Sequence, residues 1–436
     1  MTQGSGSNTT SGTPQTKKRR TGVWIAVIVV VVVVAIAGGY YAIQATKKPS
    51  SAPSEITIGT LYASTGSFAS TSIPEYDGLL LWANQINSQG GIYVSSLGEK
   101  LKVKIIAYDD GSDTSTATTL YSQLITTDHV DFLVADFGSV LTAPAVSIAE
   151  ENHVLLFDVT GSSASFFNVT SPYIVLTSIP GTPAYAKYGA DQLLSLNITK
   201  VAVAYAENDF TTPLAQFFVN NLKNHSVIPV YDQGFSTSQT DFSSMITTLQ
   251  SYNPQAVVFY GYPTNDIPFI NELHSMGVTF PYLFTIFPGQ LYTTMLSAVG
   301  TNMSYTFTYA FPPESVYNDV NYGMNLSALQ NTWNSSYPSV PFGYLSVAGY
   351  TAGLVIQDGI TTAGSLNATA VRNAINSFSG KITTVDGLFQ VDPNSGMQTG
   401  ESPPIGQVVP NGSGGLKVVI VYPSSMATGS PIYPAP

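Results

Sequence analysis

The sequence contains no cysteine, which excludes disulfides, iron–sulfur clusters and thiolate-held zinc. Histidine is almost as scarce. The four present (His129, His153, His225 and His274) never fall at the spacing that sets two on one helix face, so no metal site is expected. Charged residues make up only 9% of the chain. They are also segregated: no Asp or Glu precedes Glu55, while six of the 15 Lys and Arg residues lie in the first 50 positions. Beyond them nine basic residues face 26 acidic ones, a formal balance of −17. Such a surface repels phosphate, and no basic patch interleaved with aromatics is present, so nucleic-acid binding is excluded. Nucleophile elbow, zinc motif and phosphate loop are all missing, so the chain does not read as an enzyme and no cofactor is expected.

What the chain does have begins with Trp24–Ile43, apolar apart from Gly and Tyr and containing an unbroken valine run from Val29 to Val34. About 20 such residues at 1.5 Å each span a bilayer core of roughly 30 Å. Lys17, Lys18, Arg19 and Arg20 precede the run, which puts the N-terminus inside and everything after Lys48 outside. The expected layout is a disordered basic cytoplasmic tail over 1–21, a transmembrane anchor over 22–45 and a linker over 46–54. Asn-x-Ser/Thr acceptors at Asn168, Asn197, Asn224, Asn302, Asn325, Asn334, Asn367 and Asn411 fit an exported glycoprotein. With low charge and no Cys, an archaeal surface protein fits that combination best, and sparse charge would suit an acidic medium.

After the linker, strand and helix signals alternate. Ile56–Leu61 reads as a strand, Glu75–Ser88 as a helix ended by Gly90 and Gly91, and Leu101–Ile106 as a strand near a sheet edge. Helices over 115–126 and 143–151 alternate with strands at Phe132–Ala135 and Val154–Phe157. The pattern then restarts: strands at Val201–Tyr205, Ile228–Tyr231, Ala256–Tyr260 and Tyr282–Thr285 alternate with helices over 213–223, 240–250 and 266–276. Short apolar strands separated by helices call for parallel sheets covered on both faces. The fold class is therefore α/β, two doubly wound parallel-sheet lobes joined by a hinge. Ligands in such sheets bind beyond the carboxyl ends of the strands.

Three turns lie at such ends: 64–71, 136–145 and 158–163. The second carries Ser139 and Thr142 where a strand gives way to a helix, a place where free N–H groups favour an anion; the alternative there is plain N-capping by Ser139 or Thr142. Asp109 and Asp110, adjacent on a strand, point to opposite faces and read as structural rather than as a chelate.

These stretches resemble a known family. "IGTLYASTGSFAS" from Ile58, "INSQGGI" from Ile86 and "IIAYDDGSD" from Ile105 look like its opening strand and loop, helix end and paired-Asp strand. The segment from Val130 to Ser163, "YGYPTNDIPFINELHSMG" from Tyr260 and "DGLFQVDPNSG" from Asp386 resemble its later landmarks. The family is that of the periplasmic Leu/Ile/Val-binding proteins, the type I solute-binding receptors of ABC importers, and the resemblance covers 55–422. It implies that Ser139 holds a substrate carboxylate, that Thr160 and Gly161 offer backbone groups and that Ser162 contacts a charged end. It further implies that residues from Phe68 to Thr71 touch the substrate's side chain, that Phe210 reaches in from the second lobe, and that Asn265 or Asp266 meets an ammonium. At "LTSIPGTPAY" from Leu176 the family's usual Arg and Asp/Gln are missing.

The lobes are expected at 55–177 plus 288–385 and at 178–287 plus 386–425, with a tail over 426–436. The expected partners are a small-molecule ligand, ABC permease subunits and the membrane. The expected ligand is a branched-chain type amino acid or related small carboxylate. The alternatives are a ligand-sensing ectodomain, or a receptor for amides, urea-like solutes or sugars.

Overall fold

The computed structural model describes residues 53–168, 172–400 and 403–436. The expected tail, anchor and all but the end of the linker lie outside the described residues. Among the described residues, no helix is long and apolar enough to cross a membrane.

The first lobe is built on a six-stranded sheet of β1 (Glu55–Tyr62), β2 (Ile92–Val94), β3 (Glu99–Asp109), β4 (Phe132–Val134), β5 (Leu156–Asp158) and β6 (Ile174–Leu176). Their order is β2-β3-β1-β4-β5-β6, parallel except where β2 meets β3. The second sheet holds β7 (Val201–Ala206), β8 (Tyr231–Phe235), β9 (Ala256–Tyr260), β10 (Leu283–Thr285), β11 (Phe307–Tyr309), β14 (Ile405–Pro410) and β15 (Leu416–Tyr422). Its order is β15-β14-β11-β10-β9-β7-β8. A separate hairpin pairs β12 (Ile382–Thr384) with β13 (Gly387–Phe389). The central strands are buried on both faces, as in β9 and β4, which is why they read as continuous apolar runs.

Three differences from the sequence reading have physical causes. The first helix runs Ala69–Ser88, six residues longer than expected at its start. Pro74 lies inside it, and the carbonyl that the missing N–H leaves unpaired belongs to exposed Ser70. The strand expected at Ile228–Tyr231 is displaced to Tyr231–Phe235: Pro229 brings no ladder donor, and Ile228 is 74% exposed. Phe307–Tyr309 pairs in parallel with β10, so it belongs to the second lobe's sheet, beyond the return to the first lobe expected at 288.

The Ala69–Ser88 helix packs backbone to backbone on the Tyr344–Ala363 helix. A β-carbon at Gly349 would collide with the Glu75 carbonyl, one at Gly78 with that of Ser346, and one at Gly353 with the Trp82 ring. Two segments that pass between the lobes are tied together where the Ser178 hydroxyl donates to buried Asp386 and the Leu176 N–H donates to the Gly396 carbonyl.

Candidate functional site

The carboxyl ends of the parallel strands of the two sheets face one another across a cleft, the second sheet being mixed because β14 runs antiparallel to β11 and β15. On the first lobe, β4 leads through Asp136 and Phe137 into the Gly138–Asn152 helix. Gly138 has φ of 72°, a left-handed conformation that glycine adopts freely. A β-carbon there would also stand 3.0 Å from the Tyr262 hydroxyl. The first N–H groups of a helix have no intrahelical acceptor. Here the Gly138 N–H donates to Thr160 Oγ1 at 2.9 Å, and Thr160 Oγ1 donates in turn to Glu75 Oε2 at 2.7 Å. The residue preceding the helix, Phe137, gives no side-chain cap.

Behind this wall lie buried carboxyls. Asp136 accepts from the Ser72 hydroxyl at 2.5 Å and from the Phe137 N–H at 2.6 Å. Burial is the largest cause raising it, to about 8, with the Asp110 charge adding to that. Asp110 is itself raised by burial to about 6. Burial also pushes Glu75 and Asp158 well above the usual carboxylate range. Asp109, one residue from Asp110, is exposed and held low by hydrogen bonds from Ser64. The two adjacent carboxyls thus have opposite surroundings.

The second lobe supplies rings. Tyr262 stands two residues past β9 and immediately precedes the Pro263–Ser275 helix. Its ring lies 5.0 Å from Phe68 edge-on, 6.1 Å from Phe137, 5.9 Å from Phe210 and 5.8 Å from Phe287. Tyr185, Gln290, Ile179 and Tyr344 complete an inner compartment in which only about 10 Å³ is free. Outside Tyr262, between Phe68 and Val140 of one lobe and Asn208, Thr237, Thr240 and Asn265 of the other, lies a space of about 400 Å³. The Tyr262 hydroxyl makes no well-formed hydrogen bond. Burial and then the Asp209 charge push it up; the nearby Ser139 and Val140 N–H groups partly offset this.

The residues singled out in the sequence fall into three groups. Thr160 and Phe210 line the inner compartment, and Phe68 and Asn265 the outer one. Ser139 is fully buried at the helix start; its Oγ accepts the Ser163 N–H at 3.1 Å, leaving its own hydrogen to donate. Ser162 is buried with an unpartnered hydroxyl. The rest have other tasks. The Gly161 N–H is bound to Asp158 at 2.7 Å, the Thr160 carbonyl accepts the Ser162 N–H, and Thr71 bonds back to the Phe68 carbonyl. Asn265 spends its amide N–H groups on the Thr237 and Gln239 carbonyls. Asp266 is turned to the Phe287 N–H at 3.0 Å and lines neither space. Tyr262, Phe137, Phe287 and Glu75 were not singled out. Tyr262 was legible as the first bulky residue past the buried strand ending at Tyr260, and it immediately precedes its helix as Phe137 precedes the Gly138–Asn152 helix.

A family model for periplasmic binding proteins matches residues 55–411. The chain belongs to the periplasmic binding protein family. It is 22% identical over 402 residues to the Leu/Ile/Val-binding protein homolog 7 of Brucella abortus, covering 88% of this chain and 95% of that protein. A leucine-binding protein from Thermotoga maritima superposes with a TM-score of 0.71 at 18% identity, over 83% of this chain and 97% of the other. A solute-binding protein from R. palustris in complex with benzoate gives 0.68 at 18% identity, over 84% and 96%. The α/β two-sheet architecture and the family resemblance read from the sequence are both found. Proteins of this family bind a substrate without transforming it, so the chain is a binding protein and not an enzyme.

Proposed function

We propose that this chain is the extracytoplasmic receptor of an ABC importer, capturing a small carboxylate-bearing solute such as a branched-chain type amino acid or related acid between its lobes. The observation that carries the reading is the Gly138–Asn152 helix, whose N-terminus opens into the cleft without a side-chain cap. Unpaired N–H groups and the positive end of the helix dipole favour an anion there. The Ser139 hydroxyl stands beside them with its hydrogen free to donate. Closure of the lobes on the solute would create the shape a permease recognises. The apolar segment over 22–45 would tether the receptor to the membrane with its ligand-binding part outside.

A thermal-shift screen of amino acids, plain carboxylic acids, amides and sugars tests the reading. Ligand at about 100 times its Kd adds roughly 2.7 kcal/mol of stability. Ser139→Ala should weaken a carboxylate ligand by about 1.5–3 kcal/mol, the contribution of a hydrogen bond to a charged group. Stabilisation by sugars alone, or an unchanged affinity in the Ser139 variant, would remove the assigned site.

A further inference from the structure

We propose that the solute held in this cleft is an apolar acid without an amino group, and that its carboxylate takes over the helix N-terminus now faced by the Tyr262 hydroxyl. This rests on the receptor reading above and narrows it to one class of substrate.

The place for the carboxylate is a built one. Of the first N–H groups of the Gly138–Asn152 helix, that of Gly138 is taken by Thr160. Those of Ser139 and Val140 lie near the Tyr262 oxygen, which is buried and has no well-formed partner. The Ser162 hydroxyl, one residue from the amide bound to Ser139, is buried and unpartnered as well. Unsatisfied polar atoms in an interior are uncommon and call for an explanation. The phenol, a single weak acceptor, stands where a carboxylate would accept several hydrogen bonds at once. Tyr262 borders both the inner compartment and the outer space of about 400 Å³, so it stands between the two.

An ammonium finds no such place. Rings, hydroxyls, amides and aliphatic groups line the inner and outer spaces, and no charged side chain does so among the described residues. Asp266 faces the Phe287 amide, and Glu75 stands behind the Thr160 hydroxyl. Asp209, whose charge acts on the Tyr262 hydroxyl and whose own carboxyl is raised by partial burial, lies outside both linings. A desolvated ammonium without an acceptor is strongly disfavoured. The apolar body of an acid, by contrast, matches Phe68, Phe137, Phe210 and Phe287.

The test uses matched pairs that differ only by the amino group: 4-methylpentanoate against leucine, and 3-phenylpropanoate against phenylalanine. Binding is measured by titration calorimetry on the full chain in detergent at neutral pH, with circular-dichroism melts to verify that variants fold. Each acid is expected to bind at least about tenfold more tightly than its amino counterpart. Ser139→Ala should weaken the acid by more than about tenfold, and Tyr262→Phe, which keeps the ring and removes the competing hydroxyl, should tighten it severalfold. Leucine or phenylalanine binding as tightly as its partner acid would overturn the proposal while leaving the receptor reading intact, and loss of that binding in Asp209→Asn would then locate the ammonium. A Tyr262→Phe variant that binds the acid more weakly would overturn the placement. Binding of sugars or amides alone would overturn both the proposal and the carboxylate reading beneath it.

Discussion

At the inner compartment the wall on the first lobe brings hydroxyls and backbone N–H groups beside the Phe137 ring, with Glu75, Asp110, Asp136 and Asp158 buried behind them. On the second lobe the inner compartment is walled mainly by rings, Tyr262, Phe210, Phe287 and Tyr185, with Gln290 among them, while its outer space is edged by the polar Asn208, Thr237, Thr240 and Asn265. Buried carboxyls hold two hydroxyls of the first lobe in place, Glu75 that of Thr160 and Asp136 that of Ser72. The second lobe's rings need no such backing, since aromatic packing is satisfied by area and edge-to-face geometry. Polar wall and apolar wall therefore respond to different perturbations, and pH should separate them most clearly.

Burial raises Asp136 to about 8 and Asp110 to about 6, while Asp386 at the lobe crossing is also raised to about 6. An unfolded aspartate gives up its proton near pH 3.9. Between pH 4 and pH 8 the folded chain thus holds more protons than the unfolded one, and stability falls as pH rises, on the order of 1.4 kcal/mol per retained proton and pH unit. Asp109, Asp241 and Asp392, held low by hydrogen bonds, act in the opposite sense but below that window. Melting temperature followed from pH 4 to pH 8 should drop, and Asp136→Asn, which imitates the protonated side chain, should flatten the drop. A melt that rises with pH would refute the account of the first wall. Next in size is Gly349→Ala. Its methyl group meets the Glu75 carbonyl in the helix pair that carries this wall, and overpacking of that kind costs about 1–3 kcal/mol. A chemical-denaturation midpoint equal to that of the parent chain would show that the helices can separate cheaply.

The central strands β7, β9 and β10 of the second sheet and the helix at the first wall were legible because short buried strands and a strand-to-helix turn leave local signatures in apolar runs and hydroxyl residues, whereas β11, β14 and β15 were not. Asp109 and Asp110 could be read as facing opposite ways from strand periodicity alone. The start of the Ala69–Ser88 helix could not, since Pro74 is a plausible first-turn residue and only packing carries the helix past it. The residues facing a ligand were half legible. Ser139 and Thr160 follow their own strands, so position in sequence predicts position in space. The family resemblance points instead to Asn265 or Asp266 as the ammonium partner, yet their side chains are engaged with the 237–239 loop and the start of the Phe287–Gln290 helix. Which of several polar residues on one turn faces a cleft depends on contacts far away in the chain, and these leave no local mark.

The smallest effect tests the same division within one side chain. Tyr262 presents an apolar ring to Phe68 and Phe287 but points a buried hydroxyl at the opposite wall without a well-formed hydrogen bond. If the second wall works by packing alone, the hydroxyl is a liability in the unliganded protein. Its desolvation is only partly offset by the Ser139 and Val140 N–H groups. Tyr262→Phe should then leave unliganded stability unchanged or raise it by up to about 1 kcal/mol, because removing an unsatisfied polar atom removes its desolvation cost. A drop of 1 kcal/mol or more in the denaturation midpoint energy would mean that the phenol is a true cap of the Gly138–Asn152 helix. The aromatic wall would then share in the polar work of the first.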